Sequence, residues 1–190
     1  MEAMPNSNNE PYISVDIETA GPNPYDYSLL SIGACTIFEP QSSFYVELKP
    51  INDNSIPEAL AISHLSLAKL SEHGEEPAVA MSKFETWVKE VTPDEHRPIL
   101  VAFNAPFDWM FVNDYFHRFM DRNPFGHSAL DIKAYYMGLN NVSWSDTSMR
   151  NVGQRYLGDR QLTHHALSDA LDQAEIFKLI LEQSRNKVDQ

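Results

Sequence analysis

The chain has 190 residues, 43% of them hydrophobic and 22% charged, which is ordinary for one soluble globular domain with a core of its own. A net charge of −13 argues against a broad basic surface for wrapping a long duplex, but leaves a short strand or a chain end as a binding partner. The single cysteine excludes an intramolecular disulfide, and neither a signal peptide nor a membrane-length apolar run is evident, so we expect a cytoplasmic protein without a membrane partner.

The chain opens with a predicted disordered leader and a strand that has one apolar and one acidic face. Residues 1–10 are rich in Asn, Ser and Pro, and a single domain is predicted to follow over residues 11–185. From Tyr12 to Thr19 apolar and polar residues alternate, a period of two that is typical of a strand packed on a core through one face. Asp16 and Glu18 lie side by side on the other face, where two carboxylates repel each other and require a cation or a raised pKa. The competing interpretation is an exposed edge strand with an ordinary acidic face.

The elements that follow predict a mixed sheet covered by helices. Two further strands, 29–38 and 43–48, are separated by a short connection and form an antiparallel meander with the first. The remaining patterns, in chain order, are a short helix from Pro57, an amphipathic helix over 77–91, a buried strand over 98–103, a helix over 107–120, a short strand over 130–132, helical segments to Tyr156 and a last helix over 165–184. Such an order is typical of an α/β domain with a mixed five-stranded sheet, a three-strand antiparallel meander plus parallel strands, flanked by helices.

A third carboxylate is predicted to face inward from the middle of the chain. Asp108 follows the buried strand and lies in the first turn of the helix over 107–120. On that helix it shares a face with the apolar residues Val112 and Phe119, so its side chain is expected to point toward the core. The competing role is a favourable interaction of its charge with the helix N-terminus.

The fourth carboxylate lies on the last helix, just after two histidines. Asp169 stands between Ala166 and Gln173 on a helix side that is otherwise apolar, and His164 and His165 precede it by about one turn. Histidine is the side chain most easily used for proton transfer near neutral pH. Two exposed histidines near a helix cap are the competing interpretation.

Taken together, the four carboxylates predict a site for two divalent cations. Four such groups converging at one end of a sheet would repel each other strongly without cations. Oxygen ligands suit Mg²⁺ or Mn²⁺ better than zinc. Two ions about 4 Å apart stabilise both the attacking and the leaving oxygen in phosphodiester hydrolysis.

Three motifs in the chain resemble those of the DEDDh 3′–5′ exonucleases. They are Asp16-x-Glu18-Thr19, Asn104-Ala-Pro-Phe107-Asp108 and His164-x4-Asp169. Within this family the closest likeness is to the ribonuclease T group, which the stretch Arg122-Asn-Pro-Phe125 also resembles, and the resemblance extends from about residue 12 to residue 181. It implies a ribonuclease H-like fold, removal of nucleoside 5′-monophosphates from the 3′ end of short single-stranded RNA or DNA, and a homodimer.

The resemblance also implies a role for each matching residue. The four carboxylates Asp16, Glu18, Asp108 and Asp169 would hold two Mg²⁺ or Mn²⁺ ions, and His164 would be the general base that activates the attacking water. The terminal nucleotide would be contacted by Thr19, Asn104, Phe107 and His64, the last of which stands where the family usually has glycine. Two stacking phenylalanines of ribonuclease T are replaced by Pro22 and Ile62, which is expected to change the substrate preference.

The adjacent histidines compete for the role of general base. Helical geometry alone favours His165, which is four residues before Asp169 and would share its helix face. The family spacing favours His164, which must then precede the regular helix, where a loop residue reaches the attacking water more easily. We predict that His164 is the base, and that His165 is largely solvent-facing and of little consequence when replaced.

Two alternative functions and two surface features stay open at this point. An oligoribonuclease-like enzyme for very short RNA, or a non-catalytic nucleic-acid-binding module on the same fold, would also carry parts of this pattern.

The segment from Arg150 to Arg160 is the most basic in the chain and is a candidate for phosphate contacts, although an ordinary solvated helix face explains it almost equally well. The aromatic residues Trp144, Tyr135 and Tyr136 are candidates for a dimer interface, or they complete the core.

Overall fold

The structure is a computed structural model, and it describes residues 10–158, 160 and 163–188. Apart from Glu10, the predicted disordered leader therefore lies outside the described residues. In the part of the chain that is described, no helix is both long enough and apolar enough to cross a membrane.

Five strands form one mixed sheet. They are β1 (Tyr12–Thr19), β2 (Leu29–Thr36), β3 (Ser43–Glu47), β4 (Ile99–Ala102) and β5 (Ala129–Asp131). Their order across the sheet is β3-β2-β1-β4-β5. The first three strands pair antiparallel, and β4 is parallel to both β1 and β5. The predicted meander, the mixed sheet and the number of strands are all confirmed.

Helices cover both faces of this sheet. They are α1 (Pro57–Ser63), α2 (Leu67–His73), α3 (Pro77–Val91), α4 (Ala105–Met120), α5 (Ile132–Asn140), a 3₁₀ turn (Trp144–Thr147), α6 (Met149–Leu157) and α7 (Ala166–Val188). Proline occupies the first turn of three of them, where its missing N–H leaves no hydrogen bond unmade. Helix α2 was not predicted. It is a two-turn helix capped by the Ser66 side chain, and it buries only Leu70, so its apolar periodicity is too short to be recognised.

The two faces of β1 pack against different layers. Ile13, Val15 and Ile17 face a core built with α3 and α4, where Phe84 and Phe111 are fully buried. The opposite face is turned toward α7, as shown by Ser14, whose hydroxyl donates a hydrogen bond to the Ala170 carbonyl at 2.8 Å. The α7 side has a second hydrophobic core, which includes Val101, Ile176 and Phe177, so the polar residues of β1 lie at the end of an otherwise apolar layer.

A close contact holds the beginning of α7 on the sheet. The Cβ of any larger residue at Gly33 in β2 would overlap the backbone of Ala166 and Leu167, so α7 approaches the sheet more closely there than a side chain would allow. One turn later the Ala170 carbonyl also accepts a hydrogen bond from the thiol of Cys35, at 3.5 Å. Burial raises the pKa of this thiol to about 12.

The parallel strands β1, β4 and β5 end at the same edge of the sheet, called the carboxyl edge below. The pairing of β1 with β4 ends at Ser14 and Val101, so the rest of β1 continues beyond its neighbour. Helix α4 begins only three residues after β4 ends, and its first turn lies beside the part of β1 that extends past β4. The carboxyl edge of parallel strands is where ligands bind in open α/β sheets.

Candidate active site

Strand register places Asp16 and Glu18 in two rows that cross the sheet on the side of α7. Asp16 pairs with Gly33, which in turn pairs with Tyr45 of β3. Glu18 pairs with Ser31, one pleat further along β1. Because alternate residues of a strand share a face, both carboxylates point toward the layer formed by α7.

Helix α7 holds Asp16 in place through a buried glutamine. Gln173 is 2% exposed, and its side-chain amide donates a hydrogen bond to Asp16 Oδ1 at 2.6 Å. The oxygen of the same amide accepts the backbone N–H of Phe103, just after β4, at 2.8 Å. The sequence identifies Gln173 only as a neighbour of Asp169. Its bond to Asp16 is indicated by one feature of the sequence, a polar residue one turn after that aspartate on a helix side that is otherwise apolar.

The position of Asp108 follows from the way α4 begins. Asn104 precedes the helix with φ of 72°, in the left-handed region, and Pro106 lies in its first turn. This turn places Asp108 beside the end of β1, on the edge that β4 does not reach, and Asp108 is 4% exposed there. Burial raises the pKa of Asp108 well above its usual value, and backbone N–H groups, including that of Ile17, reduce this shift.

Asp169 and His164 meet where α7 begins. The backbone N–H of Thr163 donates a hydrogen bond to Asp169 Oδ1 at 3.1 Å, which folds the lead-in segment back over the first turn. His164 has φ of 51° and precedes the helix, which starts at Ala166. One ligand atom each from Glu18, His164 and Asp169 lies within 4.8 Å of the others. Of the two histidines, His164 is the one that faces the carboxylates.

The four carboxylates interact electrostatically, and each has a raised pKa. For Asp16 the largest cause is burial, followed by the charges of Asp108, Asp169 and Glu18. Burial and then the charge of Asp169 raise the pKa of Glu18 to about 7. For Asp169 burial is again the largest cause, and the Thr163 backbone and His164 oppose it.

This donor set fits divalent cations. In the described part of the chain, no lysine or arginine forms an ion pair with any of the four carboxylates. Carboxylate oxygens are the ligands that Mg²⁺ and Mn²⁺ prefer, and bound cations would favour the ionised form of carboxylates whose pKa burial and neighbouring charges raise. The residues present therefore match the predicted cofactors.

His165 is exposed but is not free on all sides. Its ring stacks on that of Tyr45, with 4.6 Å between the ring centroids and 21° between the planes. Its backbone carbonyl accepts the N–H of Asp169 at 3.0 Å, in the first turn of α7. The expectation of a largely solvent-facing side chain is therefore right for one face of the ring and incomplete for the other.

The four predicted nucleotide contacts lie in different surroundings. The Thr19 hydroxyl donates to the Gly21 carbonyl at 2.8 Å, so its hydrogen is already used within the chain. Phe107 is half-buried and packs against Phe111 with ring centroids 5.5 Å apart. Asn104 is exposed where α4 begins, and His64 is exposed at the end of α1 with φ of 57°.

The expected phosphate-contact segment has other partners. The Arg160 guanidinium contacts Asp172 and Glu175 of α7, both at 2.8 Å. Arg155 donates a hydrogen bond to the Tyr136 hydroxyl at 3.1 Å and lies over the ring of Tyr156. Arg160 is therefore paired with two carboxylates, whereas among the described residues Arg155 has only uncharged partners, and phosphate contacts by this segment stay a prediction. Asp159 of the same segment lies outside the described residues.

Comparisons with known proteins converge on one family. The family model described as "Exonuclease" (RNase_T) matches residues 13–177. A 3′-5′ DNA exonuclease, Cap18 of Escherichia coli, is 44% identical over 178 residues, which cover 94% of this chain and 95% of that protein. Ribonuclease T of Histophilus somni (strain 129Pt) is 27% identical over 179 residues, covering 87% of this chain and 80% of that protein.

Solved structures agree at the level of the fold. The nuclease domain of 3′hExo, a DEDDh family member bound to rAMP, superposes with a TM-score of 0.77 at 14% identity, over 93% of this chain and 94% of that one. Exonuclease I of E. coli, in complex with a dT13 oligonucleotide, gives a TM-score of 0.73 at 16% identity, over 95% of this chain and 43% of that one. The predicted ribonuclease H-like fold is confirmed.

Proposed function

The chain belongs to the exonuclease family whose model matches residues 13–177, and from this premise we propose that it hydrolyses the last phosphodiester bond at the 3′ end of a short single strand. The product is a nucleoside 5′-monophosphate. The observation that carries the proposal is the meeting of Glu18, Asp169 and His164 at the carboxyl edge, with Asp108 close enough to Asp16 for its charge to raise the pKa of Asp16. A non-catalytic binding module, the alternative from a different class, does not fit a member of an enzyme family.

Single-stranded DNA is the first substrate to test. The relative with 44% identity is a DNA exonuclease by name, and it is matched over nearly its whole length. RNA is the second candidate, supported by the 27% identity to a ribonuclease T. The net charge of −13 favours contact with a few nucleotides at a chain end over a long electrostatic groove.

The cofactors proposed are two Mg²⁺ or Mn²⁺ ions held by Asp16, Glu18, Asp108 and Asp169. Bound divalent cations would stabilise negative charge on the attacking and leaving oxygens. The chain itself prepares the ligands. Gln173 fixes the rotamer of Asp16, the Thr163 N–H fixes Asp169, and the first turn of α4 fixes Asp108. Such bonds restrict the ligands before any ion arrives.

His164 is proposed to move the proton. Its imidazole accepts a proton from the attacking water, the water oxygen forms a bond to the terminal phosphorus, and the bond from phosphorus to the leaving 3′-oxygen breaks. The leaving oxygen then takes up a proton, so the strand ends in a 3′-hydroxyl one nucleotide shorter. His164 is exposed at the rim of the carboxylates, which leaves one side open to the substrate and to exchange of the proton with solvent.

The terminal nucleotide is proposed to lie between α4 and the end of β1. The Phe107 ring offers a stacking surface for the base, worth about 1–3 kcal/mol. Asn104 and His64 offer polar side chains at the rim. Thr19 contributes its backbone, because its hydroxyl already bonds Gly21.

Strands labelled at the 5′ end test this proposal directly. Single-stranded DNA, single-stranded RNA and a blunt DNA duplex of one sequence are incubated with Mg²⁺, with Mn²⁺ or with a chelator. We expect a ladder that shortens one nucleotide at a time from the 3′ end, on single strands and only with metal. Products of internal cleavage, or the same ladder in the chelator, would overturn the proposal.

Assembly, location and domain extent complete the proposal. A homodimer is proposed through the face that carries Trp144, which is 55% exposed, whereas Tyr136 is buried in the core and cannot line an interface. Sedimentation at micromolar concentration tests this, and a monomer would contradict it.

We further propose a cytoplasmic location and an exonuclease domain that spans residues 11–185.

A further inference from the structure

We propose that Tyr45 in β3 and Gly33 in β2 are positioning residues that set the place of His164 over the carboxylates. The inference rests on the proposed role of His164 as the general base. Neither residue belongs to the three motifs. Both lie in the row that crosses the sheet from Asp16, on the face toward α7.

Gly33 sets how closely α7 approaches the sheet. A Cβ on this residue would overlap the carbonyl group of Ala166 and the nitrogen of Leu167, so the start of the helix rests directly on the β2 backbone. Two hydrogen bonds, from Ser14 and Cys35 to the Ala170 carbonyl, fix the next turn. These contacts fix the first two turns of α7 relative to Asp16.

Tyr45 holds the residue that comes just before this helix. Its ring stacks on His165 with the centroids 4.6 Å apart, and its hydroxyl donates to Glu47 Oε1 at 2.9 Å, which orients the ring. Ring stacking of this kind stabilises a side chain beyond the area that it buries. The stack fixes His165 from the side of β3, outside the carboxylate cluster.

His164 depends on such anchors because it has no regular secondary structure of its own. It is exposed, it has φ of 51° and it precedes the helix. On one side Thr163 is tied to Asp169 by its N–H. On the other side His165 is tied to Tyr45 by the stack. A general base must come within hydrogen-bond distance of its proton donor, so loosening one anchor is expected to lower the rate while the substrate still binds.

Steady-state kinetics of single variants test the role of the stack. Tyr45→Ala and His165→Ala are each expected to lower kcat about tenfold, since a displacement of about 1 Å can cost even more, with KM changed less than about twofold. For His165 this replaces the expectation from the sequence that its substitution has little effect, because the sequence does not show the stack on Tyr45. Tyr45→Phe and His165→Phe keep a ring at each position and should retain most of kcat. His165 is exposed, so its variants are expected to fold even where Tyr45→Ala is destabilised, and a melting curve of each variant checks this.

A double-mutant cycle separates positioning from a general structural effect. In a His164→Ala background, Tyr45→Ala should cause no further fall in kcat, because the group that it positions is gone. A further tenfold fall in that background would overturn the proposal. So would a Tyr45→Phe variant as slow as Tyr45→Ala, which would assign the effect to the hydroxyl, or a change confined to KM, which would make Tyr45 a substrate contact. If His164→Ala alone keeps the wild-type kcat, the proposed base is wrong, and that result is distinct from any outcome at Tyr45.

Discussion

Glu85 in α3 and Asp108 in α4 are both buried carboxylates, 5% and 4% exposed, and their pKa values move in opposite directions. The Arg122 guanidinium contacts both oxygens of Glu85, at 2.6 and 2.8 Å, and Lys89 lies 3.0 Å away. These partners lower the pKa of Glu85 to about 2. Asp108 has acidic neighbours instead, and burial raises its pKa. The Arg122 stretch that resembles ribonuclease T thus has a structural role here.

The difference separates two uses of a buried charge. A carboxylate paired within the chain contributes to folding, because its ionised form is favoured in the native state. Carboxylates held together without such a pair cost stability at neutral pH, and they are available to cations from solution. Substitutions at the Glu85 ion pair and at the carboxyl edge should therefore have opposite effects on stability.

The largest effect is expected from removing a charge at the carboxyl edge. Asp16→Asn or Asp169→Asn should lower kcat by about a thousandfold or more, since each removes several kcal/mol of stabilisation from the transition state. In a chelator, both variants should be at least as stable as the wild type. The matched control is Asp172→Asn, also buried on α7 but paired with Arg160, which should stay within about tenfold of the wild-type rate. Wild-type turnover by Asp16→Asn in saturating Mg²⁺ would refute the site.

Loss of the proposed base should have the second largest effect. His164→Ala should lower kcat by about a hundredfold, as loss of a general base usually does. Metal binding, followed by calorimetry, should be retained, because Asp16, Glu18, Asp108 and Asp169 remain. His73→Ala, an exposed histidine on α2, serves as the control and should keep the wild-type rate. Equal kcat values for the two variants would exclude His164 as the base.

Added metal should raise the stability of the protein only while the carboxylates at the carboxyl edge are intact. At about a hundred times its dissociation constant, Mn²⁺ should raise the free energy of unfolding by about 2.7 kcal/mol. An Asp16→Asn, Asp169→Asn double variant should gain far less, whereas Glu85→Gln should gain as much as the wild type. Thermal or urea unfolding with and without metal measures this. An equal gain in all three proteins would mean that the ion binds elsewhere.

Breaking the paired region should lower stability and leave turnover unchanged. Glu85→Gln should cost about 2 kcal/mol at pH 7, a value reduced from the full pKa shift because both partner cations are largely exposed. Since the folded pKa of Glu85 is lowered, to about 2, this contribution is complete above the ordinary value of about 4.5 and disappears as the pH falls toward 2. Urea titrations between pH 2 and pH 7 should show the two proteins converging in acid. A constant difference would contradict the pairing.

The smallest change in stability is expected for a substitution of Glu18, and its pH dependence is opposite to that of Glu85. The pKa of Glu18 is raised to about 7 in the folded protein. Protonated Glu18 is therefore favoured in the folded state, and this contribution to the free energy of unfolding is lost as the pH rises through that value. In a chelator, Glu18→Gln should match the wild type below about pH 4.5 and should become about 1 kcal/mol more stable by pH 8. Unfolding curves at four pH values are sufficient. A variant that is less stable at pH 8 would show that the Glu18 charge is paired after all.

The sequence predicts the parts of this molecule that depend on local patterns. The alternation in β1 identifies both the core face and the face of Asp16 and Glu18, because side chains in a strand alternate whatever the rest of the chain does. The placement of His164 before α7 follows from motif spacing. The bounds of the long helices agree within a few residues, since each carries an apolar stripe over several turns.

The parts that could not be predicted depend on contacts between distant segments. Gln173 is 157 residues from Asp16 in sequence, and nothing local to either shows that they bond. The stack of Tyr45 on His165 depends on the strand register and on the close approach that Gly33 permits. The ion pairs of Arg160 could not be predicted either, because local charge does not reveal Asp172 and Glu175 on another helix.

The buried thiol of Cys35 makes this protein unusually convenient for labelling. The reactive form of cysteine is the thiolate, and a pKa of about 12 together with full burial keeps Cys35 in its unreactive form. Maleimide dyes should therefore leave the wild-type chain unmodified without any substitution of its native cysteine. A single new cysteine at an exposed position such as Tyr25 would then carry the only fluorophore, and would report the arrival and shortening of a strand in real time.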